Sequence, residues 1–134
     1  MDYLKLYALF IYLAVDVLYI MYSKEYYNGV VKRIQGEEIA MSSTKLMLSI
    51  VSYAILGAGW LVFVIDPATP DMHYTGILWR AVFYALSVYG IFNATLFVMF
   101  KGWDVRVALR DFLWGLGWIS LSSVGYLAYL KKMK

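Results

Sequence analysis

The chemistry available to this chain lies in a few polar residues set inside long apolar sequence. Asp16 is the clearest case. An ionisable side chain at membrane depth costs about 2.5–3.5 kcal/mol on insertion scales, which makes it a functional-site candidate by default. Asp16 lies in the last third of the first apolar stretch, about 10 Å from its Tyr22 end by the helix rise. The third stretch runs in the same direction, and Asn93 falls near its end at almost the same depth. Ser52 and Tyr53 in the second stretch and Trp118 in the fourth reach that level too. These five residues form one candidate buried polar layer. Two roles fit it: a cation or proton site, or interhelical glue worth about 0.6–2 kcal/mol per hydrogen bond.

Other chemistries are excluded by the residue counts. The 134 residues contain no Cys, so there is no disulfide, thiolate nucleophile, iron–sulfur cluster or Cys-ligated zinc. His73 is the single His, and a bis-His haem needs two. No Gly-rich phosphate loop, G-x-S-x-G elbow or H-E-x-x-H string is present. No Lys lies mid-stretch for a Schiff base. The net charge of +3 comes from basic residues scattered at segment ends. A nucleic-acid binder needs a basic face instead. The expectation is therefore no catalytic residue, no metal, no cofactor and no nucleic-acid partner.

The elements that must position the layer follow from composition. Hydrophobic residues make up 63% of the chain and charged ones 16%, against about 25% charged in a soluble domain. So small a soluble domain needs more polar surface than this. The chain reads as one all-α, multi-pass membrane domain over residues 1–134. Four apolar stretches are long enough to cross about 30 Å of hydrocarbon as helices: about 3–22, 46–65, 76–100 and 111–130. Continuous apolar runs, not two-residue alternation, select helices over a barrel. The first stretch carries mixed leading charges, Asp2 and Lys5, and no small-x-small cleavage site, unlike a signal peptide.

The connections carry further signals. Tyr27, Val30, Val31 and Ile34 recur at helical spacing. They predict a short interfacial amphipathic helix over about 25–35, between the first and second spans and ended by Gly36. An ordinary polar loop is the alternative. Ser42, Ser43 and Thr44 offer N-caps for the second span, and Asp66-Pro67 stops it. Tyr3, Tyr7, Tyr74, Trp79, Tyr126 and Tyr129 are expected in an aromatic belt at one interface. Tyr22, Tyr26, Tyr27, Trp103 and Trp114 are expected at the other. Lys24, Lys32, Arg33, Lys45, Lys101, Arg106 and Arg110 mark the second interface as cytoplasmic by the positive-inside rule. Against this, Lys131 and Lys132 near the C-terminus resemble a dilysine retrieval signal of endoplasmic reticulum membrane proteins, which needs a cytosolic tail. They also fit lysines that snorkel at a helix end.

Small residues four apart, Ala54/Ala58, Ala81/Ala85 and Gly90/Ala94, predict close helix packing. Gly115, Gly117 and the serines from Ser120 to Ser123 suit close approach or a bend. The string Ser123-Val124-Gly125-Tyr126-Leu127 echoes a potassium-filter loop. It sits inside a span and lacks the closing Gly, so it reads as coincidence.

Tyr89-Gly90-Ile91-Phe92-Asn93-Ala94-Thr95, Lys101-Gly102-Trp103 and Asp111-Phe112-Leu113-Trp114-Gly115 form a distinctive series. With Asp16 late in the first span and Val62-Phe63-Val64-Ile65-Asp66-Pro67-Ala68 closing the second, it resembles a family of small predicted membrane proteins, domain of unknown function 2177. That family reads roughly Y-D-x-T-N, K-x-W and D-x-x-W-G through its last two helices. The resemblance covers most of the chain and implies four helices without implying an activity. Asn93 stands where the family usually has Asp, Leu96 where it has Asn and Tyr19 where it has Trp. An intramembrane acidic pair is thereby reduced to one acid. Read physically, Asp111 caps the fourth span, Lys101 pairs with it, and Trp103 and Trp114 anchor the turn, giving a structural loop clasp.

Two functions compete. One is a structural or assembly component that contacts the lipid bilayer and other subunits or copies of itself, and the near absence of chemistry favours it. The other is a small proton, ion or solute transporter or channel that uses the layer around Asp16 and Asn93. A membrane enzyme ranks third, because no nucleophile–base pair or metal set is visible.

Overall fold

The computed structural model describes residues 3–133. Asp2, of the mixed leading charge, and Lys134, last of the terminal lysines, lie outside the described residues. Four long helices follow in order: α1 (Tyr3–Gln35), α2 (Ser43–Ile65), α3 (Tyr74–Met99) and α4 (Val105–Lys132). No strand occurs among the described residues. Helices α1, α2 and α3 are each long and apolar enough to cross a membrane. The fourth expected span differs. Helix α4 has 28 residues but carries Arg106, Arg110 and Asp111 near its start and is not among those three. It is the most enclosed helix, with Val107, Ala108, Gly115, Ile119, Ser123, Tyr126 and Leu127 buried. A helix that faces protein needs less hydropathy than one that faces lipid.

The separate interfacial helix expected over 25–35 is not a separate element. Helix α1 runs unbroken for 33 residues, about 50 Å. No Pro interrupts it, and Gly29 lowers helix propensity by only about 1 kcal/mol. The apolar face of residues 25–35 meets α4 rather than headgroups. Val30 is buried, Tyr27 bonds Asp111, and Arg33 lies 3.8 Å from Asp104. Gly36, at φ +82°, ends the helix as expected.

Helices α1 and α4 run antiparallel, in contact from Arg33 back to Tyr12. The contacts march from Arg33–Asp104 through Tyr27–Asp111 and Tyr19–Trp114 to Trp118, whose Nε1 donates to the Tyr12 carbonyl at 3.0 Å. Ser42 caps α2 by accepting from the Lys45 N–H at 3.3 Å. Helix α2 closes in a π turn, Leu61–Ile65, just before Asp66-Pro67, and Arg80 donates to the Phe63 carbonyl there. Asp66 takes the Lys5 ammonium at 2.6 Å, tying the start of α1 to the α2–α3 loop. Lys131 folds back to donate to the Pro70 carbonyl at 2.9 Å and lies over the Tyr74 ring, while Lys132 is exposed.

The apolar core fills the half of the bundle nearest that loop. Trp60 is fully buried, stacks on Tyr12 at 4.5 Å and donates its indole N–H to Ser123 at 2.9 Å. Ile65, Ile77, Ala81, Ala85, Ile119 and Leu127 close around them. Of the small-residue pairs only Ala81/Ala85 is buried in the core. Ala54 and Ala58 are both exposed, and Ala94 is exposed beside a half-buried Gly90. Ser123 to Leu127 lie in a regular turn of α4, which is unbroken despite Gly115 and Gly117. Tyr3, Tyr7, Tyr74, Trp79, Tyr129, Tyr22 and Tyr26 are exposed as belts require. Tyr126, Tyr27 and Trp114 turn inward instead: Tyr126 joins the core, and the other two find carboxylate partners.

Candidate functional site

Asp16 and Asn93 are both buried, at 2% and 4% exposure. Tyr53 bonds Asp16, as depth counting predicts, but the other partners differ. The Asp16 carboxylate accepts from Trp114 Nε1 at 2.8 Å and from the Tyr89 hydroxyl at 3.1 Å. Asn93 Nδ2 donates to Asp111 at 2.7 Å and to its own helix at the Tyr89 carbonyl at 2.9 Å. The second Asp111 oxygen accepts from the Tyr27 hydroxyl at 2.7 Å. Two carboxylates thus stand in one network, one on α1 and one on α4, joined through a single turn of α3.

Five residues expected in the layer and four expected in the clasp are redistributed. Asp16, Tyr53 and Asn93 belong to the layer's level, and Asp111 and Trp114 move into it from the clasp. Trp118 lies one turn further along α4 and bonds the Tyr12 carbonyl rather than Asp16. Ser52 bonds its own helix at the Leu48 carbonyl and stands at the rim. The clasp does not form. Lys101 is exposed and not paired with Asp111, and Trp103 packs its ring against Phe100. Asp111 does not cap α4, because the helix begins two turns earlier. Asp104, with extended backbone, takes the cap by accepting from the Arg106 N–H at 2.8 Å. That shift carries Asp111 about 9 Å into the helix and supplies the second acid that Asn93 had seemed to remove.

Two local features make the arrangement possible. Ile77, Ala81, Ala85, Tyr89 and Asn93 are spaced every fourth residue on α3. In an unbroken α-helix such positions drift by about 40° per step. A π turn over Leu86–Gly90 inserts an extra residue and turns the face back, so Tyr89 and Asn93 point inward beneath Ala85. On α4, Gly115 lies directly against the Tyr89 ring, and a Cβ there would overlap it. Gly115 is therefore what lets Tyr89 reach Asp16.

Behind the network is a cavity of about 230 Å³. It is lined by Asp16, Tyr19, Tyr53, Tyr89, Asp111 and Trp114, with Ile20, Ser52, Leu56, Val88 and Phe92 towards the outside. Tyr19 stacks on Trp114 at 4.1 Å and 5° between planes, which holds the indole N–H on Asp16. No Lys, Arg or His is among the described residues that line it. The nearest arginine in sequence, Arg110, is engaged elsewhere. Its guanidinium lies over the rings of Tyr19, Tyr22 and Tyr26 at 5.1–6.0 Å, and it reaches Ser23 at 3.4 Å. The acids are held by neutral donors alone, and among the described residues neither is ion-paired.

Helices of this length and apolarity define an integral membrane protein, here with two acids at the wall of a half-open cavity. The chain belongs to the predicted membrane protein family DUF2177, whose family model matches residues 3–128. No curated protein and no solved structure matches it.

Proposed function

We propose that this protein is a small transporter-type membrane protein that binds a cationic solute at the Asp16–Asp111 cavity, and that its role is binding and carrying rather than catalysis. One observation carries the reading: two carboxylates face one cavity at the level of the spans and are met only by neutral donors. Polar groups that served as glue alone would be closed against each other, leaving no room for a solute. The test reconstitutes the protein in liposomes on a solid-supported membrane and records charge displacement after concentration jumps of protons, sodium and tetramethylammonium. A transient current with at least one of them, lost in Asp16→Asn, is expected. Currents no larger than those of empty liposomes for all three would overturn the proposal.

A second reading, a subunit of a larger membrane assembly or a self-associating unit, is favoured by the first ten residues of α2. Every position from Ser43 to Ser52 is exposed, so this half-helix has little cover from the described residues. Chemical cross-linking in native membranes tests it. A cross-link from Lys45 to a second chain is expected on this reading, and monomers alone contradict it.

A further inference from the structure

The cavity has a chemical character beyond its charge. Each carboxylate offers about four acceptor sites. Asp16 uses three, on Trp114, Tyr89 and Tyr53, and Asp111 uses two, on Tyr27 and Asn93. Both acids therefore keep acceptor capacity, without a cation to neutralise them. Of the nine other residues that line it, five are aromatic, Tyr19, Tyr53, Tyr89, Trp114 and Phe92, and three are aliphatic, Ile20, Leu56 and Val88, with Ser52 at the rim. About 230 Å³ is the volume of roughly eight waters.

These features discriminate among cations. A hard metal cation that sheds its water needs six or more oxygen ligands, and aromatic carbons are no replacement for them. An organic ammonium is drawn to ring faces, and aromatic cages are how such ions are recognised. The rim points the same way. Ile20 and Phe92 are exposed at the level of the spans, so the cavity opens sideways between α1, α2 and α3, onto apolar surroundings. The alkyl groups of an organic cation are at home there; a bare metal ion is not.

We propose that the occupant of this cavity is a monovalent organic ammonium ion, its nitrogen set between Asp16 and Asp111 and its alkyl groups against Tyr53, Tyr89 and Trp114. This rests on the cation-site reading above and narrows it. Trp114 has two tasks, since its N–H holds Asp16 while its indole, stacked on Tyr19, lines the cavity.

The test is calorimetric titration of the full chain in nanodiscs of zwitterionic lipid with tetramethylammonium chloride, at constant ionic strength, with sodium chloride as the comparison. Saturable binding of tetramethylammonium, at least tenfold tighter than sodium, is expected. Asp16→Asn and Asp111→Asn should each weaken it at least tenfold, and Asp16→Glu should keep it within about threefold. If an asparagine variant elutes as aggregate, Phe92→Ala and Phe92→Tyr supply the reading. The first removes a ring and is expected to bind at least threefold more weakly, and the second keeps it and is expected to bind more tightly than Phe92→Ala; the absence of a difference between the two contradicts the aromatic wall. Equal or tighter binding of sodium overturns the ammonium assignment. Sodium- or proton-driven currents in the liposome assay would then leave the cation site standing. Absence of both binding and current removes both.

Discussion

The two halves of the bundle differ in the polar groups they bury. Towards the α2–α3 loop, Tyr12, Trp60, Ile77, Ile119 and Leu127 are fully buried, and the Trp60 indole has its partner in Ser123. Towards the α3–α4 turn, the polar Asp16, Ser23 and Asn93 are buried alongside Val30, Val107 and Ala108, and the cavity there has acids in its wall. The same four helices make both halves. The difference lies in what the inward positions carry, and it shows that packing stability and the acidic site are separable along the bundle axis.

That separation can be broken at several points. Trp60→Ala empties the centre of the packed half and should cost about 3–5 kcal/mol, read as a lower midpoint in denaturing-detergent titration. An equal loss from Asp16→Asn would erase the contrast between the halves. Gly115→Ala comes next. Its Cβ meets the Tyr89 ring, and overpacking of this kind costs about 1–3 kcal/mol. Its sharper signature is functional, because a displaced Tyr89 no longer reaches Asp16, so cation-evoked currents should fall more than stability does. Ser123→Ala leaves the buried Trp60 N–H without its acceptor, for about 1–3 kcal/mol, with the cavity's response to cations unchanged. Ser52→Ala is the smallest. Its hydroxyl bonds only its own helix at the rim, and a change within about 0.5 kcal/mol is expected.

Much of this was legible in the sequence. Apolar run lengths gave the helices, and counting rise placed Asp16 and Asn93 at one level. Depth counting does not give the direction in which a side chain points or where a helix starts. Taking Asp111 as the mouth of the fourth span hid it from the layer and shifted the indole assignment by one turn, from Trp114 to Trp118. Asp104 followed by a helical run was an N-cap signal that would have moved the start. Tyr89 had a weaker signal, the every-fourth spacing from Ile77, and that spacing faces inward only because of a π turn that nothing in the residues announces. The continuity of α1 was missed for a related reason. An amphipathic segment looks the same whether its apolar face meets headgroups or another helix, and here it meets α4.

The central claim is that the half-open end of the bundle is an acidic cavity reachable from outside. The chain has no cysteine, so Ser52→Cys at the rim gives a single reporter in a silent background. Its reaction rates with a cationic and an anionic methanethiosulfonate of similar size are the direct measurement. The account predicts faster modification by the cationic reagent, with the preference lost when Asp16→Asn and Asp111→Asn are added. Equal rates, or a preference that survives removal of both acids, would contradict it.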